Sequence, residues 1–452
     1  MRRAAAYRGH TVLVAGAAVA GAAVARVLLA GGAQVLVADQ RESERTAELE
    51  ALGARFVGMP SSVPRGVDMV VVSPGWRPTH PLLAAAAAAG LEVIGEVEFA
   101  WRLRDPAVPW LAVTGTNGKT TTVLMLESIL RAAGLRTVAA GNVGLPLAEV
   151  VGKQYDVLAV ELGSPQLHAT PSLRPLAGTV LNLAPDHIDW HGSFAAYAAA
   201  KGRVYAGNVA AVVNADDEWS VRLAAGSERI VGFTLSEPPP GGLGVVDGVL
   251  VDRAFGTDVA LVAAADIPVP GSHNVANALA AAALARAYGV TPAAVSAGLR
   301  DFRPAPHRNA LVSTVDGVAY VDDSKATNPH AAAASLSAYG RVVWIAGGLL
   351  KGVAVDDFVA SVSGRLAAVV LLGADRHLLA EALARHAPDV PVTEVTRTDN
   401  GAMDEVVARA AGLASPGQTV LLAPAAASWD MFGDYSERGR AFATAVAKLA
   451  DR

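Results

Sequence analysis

Short apolar runs recur down the chain, and each gives way to a polar or glycine-bearing stretch. They lie at residues 11–15, 34–38, 68–72 and 91–94, then at 111–114, 137–140, 157–160, 179–183 and 211–213, and finally at 318–321, 342–346, 367–372 and 419–423. Runs this continuously apolar predict strands buried on both faces, as in a parallel sheet. Between them the spacing turns helical. Val123, Leu126, Ile129, Leu130 and Ala133 fall on one helix face, and Gly134 is a natural stop. Strands alternating with helices define an α/β chain. The tract Pro238-Pro-Pro-Gly-Gly242 marks a loop beside a small antiparallel region, and Arg303-Pro-Ala-Pro306 reads as a hinge.

Three blocks follow, expected as domains: residues 1–99, a Rossmann-like parallel sheet; 100–303, a central P-loop ATPase-like domain; and 304–452, a second Rossmann-like domain. The chain of 452 residues is 52% apolar, enough for large cores. Its net charge of −5 gives no general basic field for nucleic acid, so any phosphate must be met locally. There is no cysteine, which excludes disulfides and cysteine–metal sites and fits a cytoplasmic setting. Met1-Arg-Arg3 and the alanine–valine run after Thr11 resemble a secretory leader. Arg26 breaks that run, however, and a second strand ending in Asp39 follows at once, so a βαβ unit is expected. No other stretch approaches a membrane span.

The chemistry gathers where strands end, which is where open parallel sheets bind ligands. The most informative stretch is Gly115-Thr-Asn-Gly-Lys-Thr-Thr121, between a buried strand and a helix start. There, unpaired N–H groups and the helix dipole hold phosphate, Lys119 adds a point charge and the Thr120 hydroxyl suits Mg²⁺. The loop is shorter than the standard P-loop, with Val113 at the place of the first glycine. Glu161 follows an apolar strand, where a metal-binding acid belongs. His187 and His191 sit four apart between Pro185 and Gly192, a setting expected to be loop. One of them is expected to reach a phosphate or Mg²⁺ site and the other to be structural. Near the N-terminus, Gly16-Ala-Ala-Val-Ala-Gly21 is a dinucleotide fingerprint with Ala18 at its middle glycine, and Asp39 stands near the usual ribose acid. In the last block Asp322-Asp-Ser-Lys-Ala-Thr-Asn328 crowds a strand end before a helix that opens on Pro329, and Ala423-Pro-Ala-Ala-Ala-Ser-Trp-Asp430 forms another such loop.

These motifs, in this order, resemble the Mur ligase family of ATP-dependent peptidoglycan precursor ligases. The phosphate loop carries the resemblance, together with Gly271-Ser-His-Asn-Val-Ala-Asn-Ala278 and Pro306-His-Arg308. Asp323-Ser-Lys-Ala-Thr-Asn328 and Ser73-Pro-Gly75 resemble the D-glutamate-adding branch. The resemblance implies that ATP is bound by Gly115, Thr116, Asn117, Gly118, Lys119, Thr120 and Thr121, with Asn274, Asn277, Arg308, Asp323 and Lys325. It implies Mg²⁺ on Thr120 and Glu161, and a second ion served by His187 and Lys201, the latter carbamylated. Lys119, Glu161, His187 and Lys201 become the catalytic set. The substrate UDP-N-acetylmuramoyl-L-alanine falls to Gly16, Gly21, Asp39, Arg41, Ser73, Asn142, Ser164 and Gln166, and D-glutamate to Thr327, Lys351, Ser428 and Tyr435. Cytoplasmic peptidoglycan precursor synthesis by a monomer is implied, with small-molecule partners and neither nucleic acid nor membrane. Where the family reads Glu-Leu-Ser-Ser-Phe-Gln-Leu-Glu, this chain has Glu161-Leu-Gly-Ser-Pro-Gln-Leu-His168.

Three rival readings remain. A sister ligase would add a different amino acid, an NAD(P)-dependent oxidoreductase would use Gly16–Asp39, and an ATP-gated sensor would share the fold without catalysis. The oxidoreductase leaves the phosphate loop unexplained. The sensor leaves Glu161, Lys201 and Lys325 without a task.

Overall fold

The computed structural model describes residues 4–399 and 401–450. Three sheets account for the strands. In the first, β1 (Thr11–Ala15), β2 (Gln34–Ala38), β3 (Arg55–Phe56), β4 (Met69–Val72) and β5 (Glu92–Gly95) are all parallel, in the order β3-β2-β1-β4-β5. The helix Val19–Gly31 connects β1 to β2, so the supposed leader is a βαβ unit. Its tight entry is built on glycine. Gly16 has φ +99°, and a Cβ on Gly21 would lie 1.8 Å from the Gly16 carbonyl oxygen.

The second sheet runs β14-β13-β12-β11-β10-β9-β6-β8-β7. Its strands are β6 (Trp110–Thr114), β7 (Ala139–Gly141), β8 (Leu158–Glu161), β9 (Ala177–Val180), β10 (Ala210–Asn214), β11 (Ile230–Phe233), β12 (Gly242–Val246), β13 (Val249–Asp252) and β14 (Val259–Ala263). β6 to β12 are parallel, and β12, β13 and β14 pair antiparallel just after the proline–glycine tract, as expected. The third sheet runs β15-β16-β20-β17-β18-β19, from β15 (Ala310–Val315), β16 (Val318–Asp322), β17 (Val342–Gly347), β18 (Leu366–Leu372), β19 (Val392–Glu394) and β20 (Thr419–Leu422). Only the β15–β16 pair in it is antiparallel.

The residues pack as two compact units. One runs to Ala264 and includes Ala276–Asp301, and the other joins Ala265–Val275 to Phe302 and the residues after it. The break at Asp301/Phe302 falls beside the predicted hinge.

In the first unit, the helix Lys119–Ala132 buries Val123, Met125, Leu126, Ile129 and Leu130. Ala133 departs from expectation: it is the C-cap and is exposed. A second helix, Pro292–Arg300, lies against this one so closely that a Cβ on Gly298 would sit 2.4 Å from the Ile129 Cα. The Ser128 hydroxyl donates to the Gly298 carbonyl oxygen at 2.7 Å. The phosphate-loop helix is thereby fixed on the sheet and from outside.

Glu96 ties the first sheet to the second. It is buried and accepts the Ala148 N–H at 2.8 Å, while its other oxygen has no partner. Burial pushes its pKa up to about 7, against backbone hydrogen bonds that act the other way. The ordinary value is 4.5. Between those values the folded chain holds a proton that the unfolded chain has released, so stability falls as pH rises from about 4.5 to 7. Glu96→Gln, which keeps an acceptor and carries no charge, should therefore melt above wild type at pH 8 and converge with it at pH 4.5. Melting curves across that range check this.

Candidate active site: a phosphate loop with a buried lysine

β6 delivers Thr114 to a loop whose glycines take left-handed backbone, Gly115 at φ +149° and Gly118 at φ +85°. The helix starts at Lys119, so its free N–H groups face the loop. The Lys119 ammonium donates to the carbonyl oxygens of Gly115 (2.8 Å) and Thr116 (2.7 Å). Asn182 braces the loop from β9: its Oδ1 accepts the Asn117 N–H at 2.9 Å, and its backbone oxygen accepts the Thr116 N–H at 2.9 Å. This corrects the predicted strand 179–183. The ladder ends at Val180 because Asn182 turns its hydrogen bonds to the loop. The Thr116 hydroxyl lies 2.8 Å from the Tyr197 hydroxyl and accepts the Ala184 N–H at 2.9 Å. Thr121 is half-buried on the first helical turn.

Asn277 belongs to this loop, although 156 residues separate it from Thr121 in sequence. It accepts the Thr122 hydroxyl at 3.2 Å, and a Cβ on Gly118 would come within 2.4 Å of its Oδ1. Gly118→Ala should thus combine left-handed strain with a clash, lowering stability by about 2 kcal/mol and raising the KM for ATP. Gly134→Ala is the control: φ is +78°, nothing lies within 4 Å, and only strain of about 1 kcal/mol is expected, with the ATP KM unchanged. Thermal melts and ATP titrations separate the two.

The end of β8 supplies the acid. Glu161 is 2% exposed, and its two oxygens accept the Thr120 hydroxyl (2.7 Å) and the Asn142 amide (2.8 Å). A hydroxyl and a carboxylate in direct contact beside a phosphate loop are hard oxygen donors. They fit Mg²⁺, which takes one or two protein oxygens and completes its shell from phosphates and water. No group of three or more His, Cys, Asp or Glu with metal-holding geometry exists among the described residues, so an all-protein cage of the zinc kind is absent there.

Lys201, on the helix Phe194–Gly202, is 2% exposed. Its Nζ donates to the Gly115 carbonyl oxygen at 2.7 Å and the Thr114 hydroxyl at 3.2 Å, and lies 4.9 Å from the Tyr197 ring centroid. Lys119 and Lys201 thus share one carbonyl oxygen. Burial first, then the Lys119 charge, hold the Lys201 pKa well below the usual lysine value. The amine is consequently prone to be neutral, the form that reacts with CO₂.

His187 caps and His191 ends a single helical turn, Ile188–His191, where a loop was expected. His187 takes φ +52° with its side chain about half exposed; partial burial, Lys201 and Lys119 lower its pKa, against Asp186 and Asp189, which raise it. His191 turns into a ring cluster, 4.4 Å from Trp190, 5.5 Å from Tyr197 and 6.1 Å from His168. Its Nε2 is buried without a hydrogen-bond partner, and burial holds its pKa down to about 4. Tyr197 was not singled out from the sequence. Its position four residues before Lys201, on the same helix face, was the available signal.

The other expected residues fall as follows. Ser164 is buried with an unpartnered hydroxyl, and Gln166 accepts the Gly163 N–H at 2.8 Å. Ser73, just after β4, closes onto the Gly16–Gly21 turn, its hydroxyl donating to the Gly16 oxygen at 3.1 Å. Asp39 spends both oxygens on that corner, accepting the N–H of Ala17 (2.7 Å) and of Gln40 (2.6 Å). Arg41 is exposed.

In the second unit, Asn274 donates to the Pro270 oxygen at 2.7 Å. Asp323 is buried at the end of β16; burial raises its pKa to about 6 despite the Ser335 hydroxyl and the Arg308 charge. Lys325 lies 3.9 Å from the Tyr435 ring centroid, and Thr327 is half-buried in the same loop. Lys351 and the buried Ser428 stand on the loops after β17 and β20. Arg438 was overlooked from sequence. It is buried beneath this loop and donates to the hydroxyl (2.9 Å) and backbone oxygen (2.8 Å) of Ser324.

A three-sheet α/β chain with such a loop, acid and lysine defines an ATP-using enzyme of the ligase type, and comparison with known proteins places it. Residues 10–95 match the Mur ligase MurD-like N-terminal domain, 113–285 the Mur ligase middle domain and 307–426 the Mur ligase glutamate ligase domain. The chain belongs to the Mur ligase family. Relatives named UDP-N-acetylmuramoylalanine–D-glutamate ligase include those of Streptomyces avermitilis, 57% identical over 98% of this chain and 99% of the relative, and Thermobifida fusca, 56% identical over the same shares. Among solved structures, the UDP-N-acetylmuramate–alanine ligase of Thermotoga maritima shares the fold, with a TM-score of 0.62 at 20% identity over 97% of this chain and 99% of that one. A pseudomurein peptide ligase of Methanothermus fervidus gives 0.60 at 18% identity, over 98% and 100%.

Proposed function

We propose that this chain joins D-glutamate to UDP-N-acetylmuramoyl-L-alanine, driven by ATP, in peptidoglycan precursor synthesis. The observation that carries the reading is the Thr120–Glu161 contact at the mouth of a glycine loop that also holds Lys119 and Lys201. The relatives' common name supports the substrates. The alanyl carboxylate attacks the γ-phosphorus of ATP, the bond to the bridging oxygen breaks, and ADP leaves. The amine of D-glutamate then attacks the acyl carbon, losing a proton, and inorganic phosphate leaves with the electron pair of the C–O bond.

The protein's task is to bring several anions together in line and offset their repulsion. The loop N–H groups and Lys119 receive the β- and γ-phosphates. Thr120 and Glu161 would hold Mg²⁺, which when bound withdraws charge from the transferring phosphoryl group. His187 and a carbamylated Lys201 would serve a second ion. A lysine ammonium would repel a cation, whereas its carbamate offers it an anionic oxygen. Asn274, Asn277, Arg308, Asp323 and Lys325 belong to the nucleotide site on this reading. Asn142, Ser164, Gln166 and the Gly16–Gly21 turn, with Asp39, Arg41 and Ser73, belong to the UDP-substrate, and Thr327, Lys351, Ser428 and Tyr435 to D-glutamate. Domains bounded at 99/100 and 303/304, action as a monomer and a cytoplasmic setting are part of the same proposal.

Phosphate release with ATP, UDP-N-acetylmuramoyl-L-alanine and a panel of D- and L-amino acids tests it. Release confined to D-glutamate is expected. Release with another amino acid would favour a sister ligase, and none at all would favour a sensor.

A further inference from the structure

Two lysines of the second unit lie on aromatic rings at the ends of parallel strands. Lys325 lies on Tyr435. The other, Lys351, has its Nζ 4.5 Å from the ring centroid of Trp429, a residue to which the reading above gives no task. Trp429 is 66% exposed, and it is the one aromatic among the exposed large apolar side chains of the described residues. An exposed indole face is open to a cation, which its quadrupole attracts.

The loops that carry both partners are braced. Lys351 adopts φ +55°, unusual for a non-glycine residue, in the loop after β17. Leu349 and Ala427 exchange backbone hydrogen bonds, both 2.9 Å, which clamp that loop to the one carrying Ser428 and Trp429. The approach demands glycine: a Cβ on Gly348 would lie 2.2 Å from the Ala427 oxygen. The loop after β18 braces the pair from the other side, since Asp375 accepts the Leu350 N–H at 2.8 Å and Asp430 accepts the Ala374 N–H at 2.8 Å. Three strand-end loops thus hold one lysine against one indole. Among the described residues no carboxylate forms an ion pair with Lys351.

We propose that Trp429 is a positioning residue for amino-acid specificity: its face restrains Lys351 so that the ammonium's remaining N–H donors meet the distal carboxylate of the incoming amino acid. A free lysine side chain must surrender rotamer freedom on binding, and a ring that has already taken that freedom lowers the loss. The ring acts on ground-state binding of one substrate and leaves the transfer of the phosphoryl group untouched. The inference rests on the function proposed above and takes Lys351 as a D-glutamate contact.

The test is steady-state kinetics of the full-length enzyme with Trp429→Ala, Trp429→Leu and Trp429→Phe. In the alanine and leucine variants the KM for D-glutamate should rise about threefold to tenfold. kcat should stay within about twofold and the KM for ATP should not move. The preference for D-glutamate over D-glutamine should fall by the same factor as the KM rises. Phe should restore most of the loss. In a Lys351→Ala background, itself impaired, removing Trp429 should add little. Leucine keeps apolar bulk, so a misfolded alanine variant leaves the question answerable. An unchanged KM in Trp429→Leu, or an equal effect with and without Lys351, overturns the inference. If wild type rejects D-glutamate and takes another amino acid, the substrate reading fails separately, and the Trp429 ratios are then read on that amino acid.

Discussion

Lys119→Ala should lose turnover by on the order of a thousandfold while the protein stays folded. The ammonium sits on the loop through the carbonyl oxygens of Gly115 and Thr116, the two residues that open the phosphate cradle. Its stem leaves the first residue of a helix whose buried face is made by other residues, so truncation removes charge without opening the core. The charge matters most in the transition state, where the γ-phosphoryl group separates from ADP in a site that already holds a carboxylate. ADP formation that depends on the UDP-substrate, measured beside a melting curve, is the check. Near-normal turnover would remove Lys119 from its role.

The second large effect concerns Lys201. A buried ammonium beside Lys119 is costly, and burial together with that neighbour holds its pKa far down. The neutral amine can add CO₂ to give a carbamate with release of one proton, which places an anion next to Lys119. Activity should therefore fall several-fold after exhaustive removal of CO₂ and return with bicarbonate. Labelling with ¹³C-bicarbonate should give a carbamate signal in wild type that Lys201→Ala lacks. Full activity with an unmodified Lys201 would contradict the assignment. The pH dependence has a defined sign: acid releases CO₂ from carbamates, so the bicarbonate requirement should grow as pH is lowered.

What could be read from sequence was local. The phosphate loop is written in consecutive residues, with Gly115 and Gly118 needed for left-handed backbone and Lys119 and Thr120 adjacent on the helix start. Glu161 was legible as a candidate because it ends an apolar strand that pairs with the strand leading into the phosphate loop. The central parallel strands of each sheet were legible because both of their faces are buried, whereas the short, exposed β3 and β19 carried no such signal. Long-range partnership was not legible. Asn182 braces Asn117 across 65 residues, and its hydrogen bonds, not its strand propensity, set where β9 ends. Ala133 matched the helix period, yet the chain turns away at Gly134 before it can pack. His191 and His187 look alike in sequence, and only the surrounding rings of Trp190, Tyr197 and His168 separate them. β15 carries a mixed, half-exposed pattern and pairs antiparallel through an irregular register, so no periodic signal marked it. Trp429 read as one more turn residue until its face was seen to carry Lys351.

The most direct test of the central claim is a crystal structure with a non-hydrolysable ATP analogue and Mg²⁺. The account predicts β- and γ-phosphates on the N–H groups of the Gly115–Thr120 loop and a Mg²⁺ ion touching both the Thr120 hydroxyl and Glu161. A nucleotide bound elsewhere, with that loop empty in an enzyme still able to form product, would contradict it.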